Sequence, residues 1–286
     1  MATLDMDEFV LNLNDMRLKS QKVREWDIYE DGLLKCGICG KFRQVRKKLN
    51  SGREYIAVSL CDCEFAEEME RREAELEEER KAKIVELRNR SMMDGVYLEA
   101  RFDKCVISDD NRKNFQICRK YVENFDSMVE KNQGLIMWGD VGTGKSYASA
   151  CIANELIDKG ISVVMTSFTQ LLDLLQRDYS DEFAIIDRVM NARLLIVDDF
   201  GAERNTSYAL EKVYNLIDMR CKRRLPMIIT TNLDFNAMAN EDDMIYRRIY
   251  DRIFEYCYPM HFQGKSFRRV EANKRFLEMK EMLDAD

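Results

Sequence analysis

Residues 139–146 read Gly139-Asp140-Val141-Gly142-Thr143-Gly144-Lys145-Ser146, and each residue type suits a polyphosphate. Glycines at 139, 142 and 144 permit the turns that aim successive backbone N–H groups at phosphate oxygens. The Lys145 ammonium can then reach the β- and γ-phosphates, and the Ser146 hydroxyl is placed to ligate magnesium. The apolar run Leu135-Ile136-Met137-Trp138 predicts a strand before the loop, and Ala148 to Ile157 predicts a helix after it. That helix turns its positive end toward the phosphates, so Tyr147 in its first turn is taken with the nucleotide-binding segment. A glycine-rich turn without function would not require both flanks. The pattern predicts nucleoside-triphosphate binding.

A second polar group follows the run Leu194-Leu195-Ile196-Val197, which ends in Asp198-Asp199. Four apolar residues leading into two carboxylates describe a buried parallel strand that stops at the ligand edge of its sheet. There Asp198 can hold magnesium and Asp199 can polarise an attacking water. Ile228-Ile229-Thr230-Thr231 predicts another strand, whose tip offers Asn232 as a residue to orient the same water. The plain alternative for all three is turn formation at strand ends. Arg252, on the basic stretch Tyr246 to Phe254, can act as an arginine reaching a neighbouring subunit's γ-phosphate. Arg268, in Gly264-Lys265-Ser266-Phe267-Arg268-Arg269, can sense that phosphate within its own subunit. Either arginine could instead be solvated or face DNA.

Cysteine supplies the remaining chemistry. Cys36-Gly37-Ile38-Cys39 and Cys61-Asp62-Cys63 form two close pairs, and the chain's one histidine, His261, lies far from both. Two such pairs can bring four thiolates to one tetrahedral zinc. Such a closed site folds a small module and does no chemistry itself. Four free thiols are the alternative. Cys105, Cys118, Cys151, Cys221 and Cys257 read as small buried apolar residues. A single histidine removes most zinc-hydrolase, Ser-His and Cys-His mechanisms, and His261 itself, in a strand-like run, reads as structural.

These groups need a frame of alternating elements. Strands are predicted at Gly134–Trp138, Ser162–Thr166, Arg193–Val197, Met227–Thr231 and Tyr256–Phe262. Helices are predicted at Asn114–Val129, Ser146–Lys159, Phe168–Gln176, Ser207–Arg223 and Asp242–Phe254, with a last helix opened by the Gly264 segment. This alternation implies an α/β fold with a mostly parallel sheet covered on both faces. Residues 1–63 read as a loop-rich, zinc-binding module for partner interaction, and 64–94 as a charged helical linker. Residues 95–286 form the nucleotide-binding domain. A coiled-coil arm is the alternative for the linker, although the apolar spacing of Phe65, Met69, Leu76, Ile84 and Leu87 is irregular.

Across 286 residues the net charge is −7 and the pI is 5.2, which argues against a uniformly basic nucleic-acid coat. The acidic start lacks a signal pattern and no apolar run reaches the length of a membrane span, so a soluble, cytoplasmic protein without membrane contact is expected. Local basic material is present at Arg220-Cys221-Lys222-Arg223-Arg224 and from Arg247 to Arg275, with Tyr246, Tyr250 and Phe267 interleaved. Such mixtures suit single-stranded DNA, and equally suit amphipathic surface helices. Lys41-Phe42-Arg43-Gln44-Val45-Arg46-Lys47-Lys48 offers the same choice between nucleic acid and a solvated hairpin face.

The phosphate loop, Asp198-Asp199, Asn232 and the arginines, in this order, resemble the AAA+ ATPases. The segments Leu194 to Glu203, Ile229 to Asn232 and Gly264 to Arg268 resemble, more narrowly, the DnaC/DnaI replicative helicase loaders. The IstB transposition ATPases share this core, and the likeness covers about residues 95–275. It implies a AAA+ phosphate-loop ATPase using ATP/ADP and magnesium and self-associating through the ATPase domain. A replicative helicase would be gripped by the zinc-bearing N-terminal region, and single-stranded DNA engaged by the core. Most AAA+ proteins place Glu at the second acidic position; Asp199, with its shorter reach, implies weak intrinsic hydrolysis. The tail after Arg268 is short for the helical lid domain of many such enzymes. The function implied is ATP-dependent loading of a replicative helicase onto single-stranded DNA, with hydrolysis as a switch. A transposition-assisting ATPase, a small-molecule or nucleotide kinase, and a nucleotide-gated module with negligible turnover are the alternatives.

The two-module reading predicts that Lys145→Ala abolishes nucleotide binding, measured by calorimetric titration, while capture of a protein partner through residues 1–63 is unchanged. Loss of both together would contradict it.

Overall fold

The computed structural model describes residues 6–177, 182–202 and 206–284. Glu203, the last residue of the Asp198-Asp199 segment named above, lies outside them. The chain divides into two compact units, Met1–Arg80 and Lys81–Asp286.

In the first unit, α1 (Met6–Ser20) precedes two antiparallel hairpins, β1 (Asp27–Glu30) with β2 (Leu33–Cys36), and β3 (Gln44–Lys48) with β4 (Glu54–Val58). Asp31 and Gly32, at φ 52 and 74, close the first hairpin in the left-handed conformation that tight two-residue turns require. The expected loop-rich pattern therefore misses a 15-residue helix. Apolar residues of α1 stand around most of its circumference, so no single stripe announces it. Asn14 anchors it by donating to the Ile56 carbonyl at 2.6 Å.

Arg43 is the central polar residue of this unit. It is 2% exposed, forms ion pairs with Asp27 and Glu64, and donates to the Lys22 carbonyl at 3.0 Å. The basic run 41–48 is thus not one solvated or nucleic-acid-facing surface, because Arg43 points inward while Arg46, Lys47 and Lys48 stay outside. From Asp62 the chain continues as α2 (Asp62–Arg90), a helix with no buried residue, as its charged composition predicts.

The second unit is a three-layer α/β body. After α3 (Gly95–Leu98) and a short 3-10 turn at Phe102–Lys104 come α4 (Asp109–Glu123), α5 (Phe125–Glu130), β5 (Gly134–Gly139) and α6 (Lys145–Asp158). Then follow β6 (Val163–Ser167), α7 (Phe168–Arg177), α8 (Glu182–Asn191), β7 (Leu194–Phe200) and α9 (Ser207–Arg223). The remaining elements are β8 (Met227–Thr231), α10 (Phe235–Ala239), α11 (Met244–Tyr256), β9 (Cys257–Phe262) and α12 (Phe267–Leu283).

The five strands pair in parallel in the order β6-β7-β8-β5-β9. Alternation along each strand divides the core. On β5, Leu135 and Met137 face the layer of Phe115, Cys118, Ile152 and Leu156, whereas Ile136 joins Val189, Val213, Ile217 and Ile253 on the other face. The single helix expected at 114–129 is two helices. The first begins earlier, capped by Ser108 and Asn111, and ends at Asn124. α8 is an element that sequence periodicity did not separate from its surroundings.

Arg220 on α9 ties the second core layer together. It is fully buried and donates to the carbonyls of Val189, Met190 and Ala192 at the end of α8, and to Pro226 ahead of β8. Burial pulls its pKa down to about 9, which still leaves it charged at neutral pH. It therefore cannot belong to the DNA-facing patch expected at 220–224, and Cys221 is buried beside it. Tyr250 is likewise interior, edge-on to Phe200 and stacked with Tyr246, so it offers no face to a base.

Orphaning a buried hydrogen-bonding group costs about 1–3 kcal/mol each. Arg220→Met, which leaves four carbonyls without their donor, is expected to lose on the order of 3–5 kcal/mol, read from the urea denaturation midpoint. Arg220→Lys should fall between Met and wild type, because a single ammonium cannot span all four acceptors. A Met variant as stable as wild type would show that the carbonyls are satisfied in another way.

Candidate functional site

The phosphate loop leaves β5 at the point where the chain must cross to the far edge of the sheet, since β5 lies between β8 and β9 while the next strand, β6, is an edge strand. Such a switch point opens a crevice outside the strand ends. Gly139 has φ 128, and a Cβ there would stand 2.1 Å from the Phe262 carbonyl oxygen. At Gly142, φ 81, a Cβ would strike Ser266 Oγ at 2.2 Å. The loop is therefore wedged against the start of α12, and Phe267 N–H donates to the Gly142 carbonyl at 2.9 Å.

Lys145 is 6% exposed and its Nζ donates to the carbonyls of Gly139 at 2.8 Å and Asp140 at 2.7 Å, and to Asn232 Oδ1 at 2.8 Å. Burial lowers its pKa against the opposing pull of Asp199, Asp140 and Asp198, and nearby Arg268 adds to the lowering. Asn232 Nδ2 in turn donates to Asp199 Oδ1 at 2.8 Å. A lysine on one side and a carboxylate on the other leave the amide only one sensible orientation.

β7 and β8 slip register between Val197 and Phe200, at the acidic pair. At this bulge Asp199 takes φ 55, a left-handed conformation uncommon for a non-glycine residue and frequent next to functional sites. Thr230 supports both. Its hydroxyl donates to Asp198 Oδ1 at 2.6 Å and accepts the Asp199 N–H at 2.9 Å. Sequence reasoning passed over Thr230, although a hydroxyl placed one strand away from the acidic pair was a usable signal.

Lys145, Ser146, Asp198, Asp199, Asn232 and Arg268 line one cavity of about 690 Å³, together with Val141, Gly142, Gly144 and Tyr147. Thr230 and Phe267 line it too, and a further wall is formed by Val96, Tyr97, Lys104, Val106, Asn111 and Phe115, from segments before the loop that the sequence did not point to. Thr143 is buried beneath the loop, its hydroxyl donating to the Asp140 carbonyl at 2.8 Å. Arg268 thus reaches its own chain's cavity. Arg252 does not line it, and pairs instead with Asp218 at 3.4 Å and Glu255 at 3.0 Å. His261 stacks on Trp138 with ring centroids 3.9 Å apart, and its carbonyl accepts from Asn114 at 2.8 Å, a packing role at the strand ends. Phe267, expected among the DNA-facing rings, lines the cavity instead.

In the N-terminal unit, the sulfurs of Cys36, Cys39, Cys61 and Cys63 all lie within 4.8 Å of one another. Four thiolates at about 2.3 Å around one ion stand about 3.8 Å apart, so the donor set and its spacing fit a tetrahedral thiophilic metal. The backbone supports it. Gly37 is pressed against the Trp26 carbonyl, where a Cβ would sit 2.0 Å from the oxygen, and Gly40 N–H donates to the Cys36 carbonyl at 2.9 Å. Hydrogen bonding from the Lys41 backbone pulls the Cys39 thiol down to about 6. Burial pushes Cys61 up to about 12.

The chain is similar to known proteins over much of its length. Replicative helicase loader DnaC of Escherichia coli strain K12 is 26% identical over 188 residues, covering 64% of this chain and 74% of that protein. Replicative helicase loader DnaI of Bacillus subtilis strain 168 is 24% identical over 199 residues, covering 63% and 64%. A crystal structure of DnaI superposes with a TM-score of 0.53 at 26% identity, over 61% of this chain and 93% of that one. The family model for IstB-like ATP binding proteins matches residues 64–275, and the chain belongs to that family.

Proposed function

We propose that this protein is an ATP-driven loader of a replicative DNA helicase onto single-stranded DNA. The observation that carries the reading is the likeness of its ATPase unit to the two loaders named above, joined to one polar network linking Lys145, Asn232 and Asp199.

The chemistry proposed is hydrolysis of the β–γ phosphoanhydride. Backbone N–H groups of residues 139–146 and the Lys145 ammonium bind the phosphates. Ser146 and Asp198, on the same cavity wall, would hold a magnesium ion, which supplies charge neutralisation at the phosphate oxygens. Asp199, oriented by Asn232, aligns the attacking water and takes its proton as the water oxygen bonds to the γ-phosphorus and the bond to the β–γ bridging oxygen breaks, releasing ADP and inorganic phosphate. Arg268 reads the γ-phosphate in its own subunit. Arg252 would reach a neighbouring copy's γ-phosphate, exchanging its pairing with Asp218 and Glu255 for the nucleotide. Nucleotide state then switches self-association, the mechanical output being remodelling of the helicase.

Cys36, Cys39, Cys61 and Cys63 would hold a structural zinc, folding a module that grips the helicase. Contact with single-stranded DNA falls to the cations left on the surface, among them Arg247, Arg248, Arg269 and Arg275. The locale is the cytoplasm.

ATPase rate measured with and without single-stranded DNA and the cognate helicase tests the reading. Both partners should change the wild-type rate, and Arg252→Ala should lose the response. A rate indifferent to both would turn the interpretation toward a transposition-assisting or small-molecule enzyme. Asn232→Ala should keep nucleotide affinity within a few-fold while lowering kcat by about a hundredfold, the scale for removing one preorganised polar group. An equal fall in affinity and no fall in kcat would place Asn232 in binding alone.

A further inference from the structure

Five cysteines stand outside the metal-ligand quartet, and two of them meet beside the nucleotide cavity. Cys105 follows the 3-10 turn at Phe102–Lys104 and is half-buried, whereas Cys151 lies on α6, five residues beyond Ser146, and is fully buried. Their sulfurs are 3.8 Å apart. Cys105 packs against the core but is half-buried, where its sequence context suggested full burial. Its chain neighbours Lys104 and Val106 both line the cavity.

We propose that Cys105 and Cys151 are a redox modification site, forming a reversible disulfide that alters the nucleotide cavity. The two thiols are unequally buried, Cys105 half-buried and Cys151 without exposed surface. Cys105 is held below its ordinary pKa, chiefly by the hydrogen bond it shares with Cys151 and also by the Arg119 guanidinium. Cys151 is pushed far up by the same contact and by burial. One thiol is the accessible nucleophile and the other the resolving partner.

With hydrogen peroxide as oxidant, the Cys105 thiolate attacks one peroxide oxygen, the O–O bond breaks, and the departing hydroxide takes a proton to become water. Cys105 is then a sulfenic acid. The Cys151 sulfur attacks the Cys105 sulfur, the S–O bond breaks, and the hydroxyl leaves as a second water with the Cys151 proton. Two thiols lose two hydrogens and one peroxide becomes two waters.

A disulfide spans about 2.05 Å, so the sulfurs must close from 3.8 Å. Cys151 is fixed in the packed middle of α6, between Ala150 and Ile152, both without exposed surface. The closure beyond what rotation of the Cys105 side chain supplies falls on the segment 102–106, which draws Lys104 and Val106 toward α6. Cys118, a third thiol, is buried on α4 and is the competing partner.

The test treats the full chain with hydrogen peroxide, blocks free thiols, digests it and maps the peptides by mass. The expected product joins the peptides of Cys105 and Cys151, two hydrogens lighter than their sum. Dithiothreitol should reverse it; Cys105→Ser and Cys151→Ser should lack it, and Cys118→Ser should retain it. A Cys105–Cys118 bond, a sulfinic acid at Cys105 without a partner, or both thiols still free would overturn the assignment. The effect on nucleotide rests on the phosphate-loop reading and is measured separately, by titrating ADP into oxidised protein. Wild type should bind about tenfold more weakly than oxidised Cys105→Ser, a scale in keeping with a positioning segment moved by on the order of 1 Å. Because Cys105→Ser keeps the other cysteine quartet, oxidation there cancels in the comparison. Equal affinities despite a mapped bond would overturn the coupling to the cavity, and failure of both proteins to bind ADP would instead count against the phosphate-loop reading.

Discussion

The nucleotide-facing edge of the sheet depends on one buried ammonium. Lys145 sits at the first residue of α6 with almost no exposed surface, and a charge so placed must be surrounded by acceptors. Two acceptors are carbonyls of its own loop, which hold the loop in its curved form. The third is the amide of Asn232, one strand away, which carries the arrangement on to Asp199. Asn232 is thereby locked to a cation 87 positions earlier in the sequence.

That lock works only because of the strand order. β8 lies between β7 and β5, so the polar tip of β8 stands between the acidic pair and the phosphate loop. Thr230 and Asn232, two residues apart, share the support of the acidic pair. Thr230 braces Asp198 and the backbone of Asp199, while Asn232 braces the Asp199 carboxylate. The register slip in β7 falls at the two neighbouring aspartates, and both line one cavity. A regular strand would send them to opposite faces and would not present both to one cavity.

The parts most legible in the sequence were those governed by local pattern. Met227–Thr231 is a strand with the expected bounds, and the other four strands fall within a few residues of expectation, because buried parallel strands are continuous apolar runs between punctuating residues. The phosphate loop and Asp198-Asp199 were visible for the same reason. Long-range features were not. Nothing local marks the φ of Asp199 or the wall made by Val96, Tyr97 and Val106, whereas Arg268 was expected to face its own subunit's phosphate and does line the cavity. α1 escaped because its apolar residues surround the helix, and α4 was misplaced because its cap at Ser108 was not read as a start.

Cations show the sharpest limit of sequence reading. Arg43 and Arg220 each stood in a basic run that suggested a nucleic-acid surface, and each is interior. Composition reports charge but not the acceptors that wait for it. Arg43 finds two carboxylates, so its burial is electrostatically paired. Arg220 finds only carbonyls, four of them, converging from the end of one helix and the approach to a strand. A planar fork of donors can satisfy such a cluster where a lysine cannot. Pro226 also accepts from the Leu195 N–H at 3.4 Å, so the carbonyls at the end of α8 depend most on Arg220. Both arginines therefore belong to the fold, and the exposed basic surface is smaller than the count of basic residues implies.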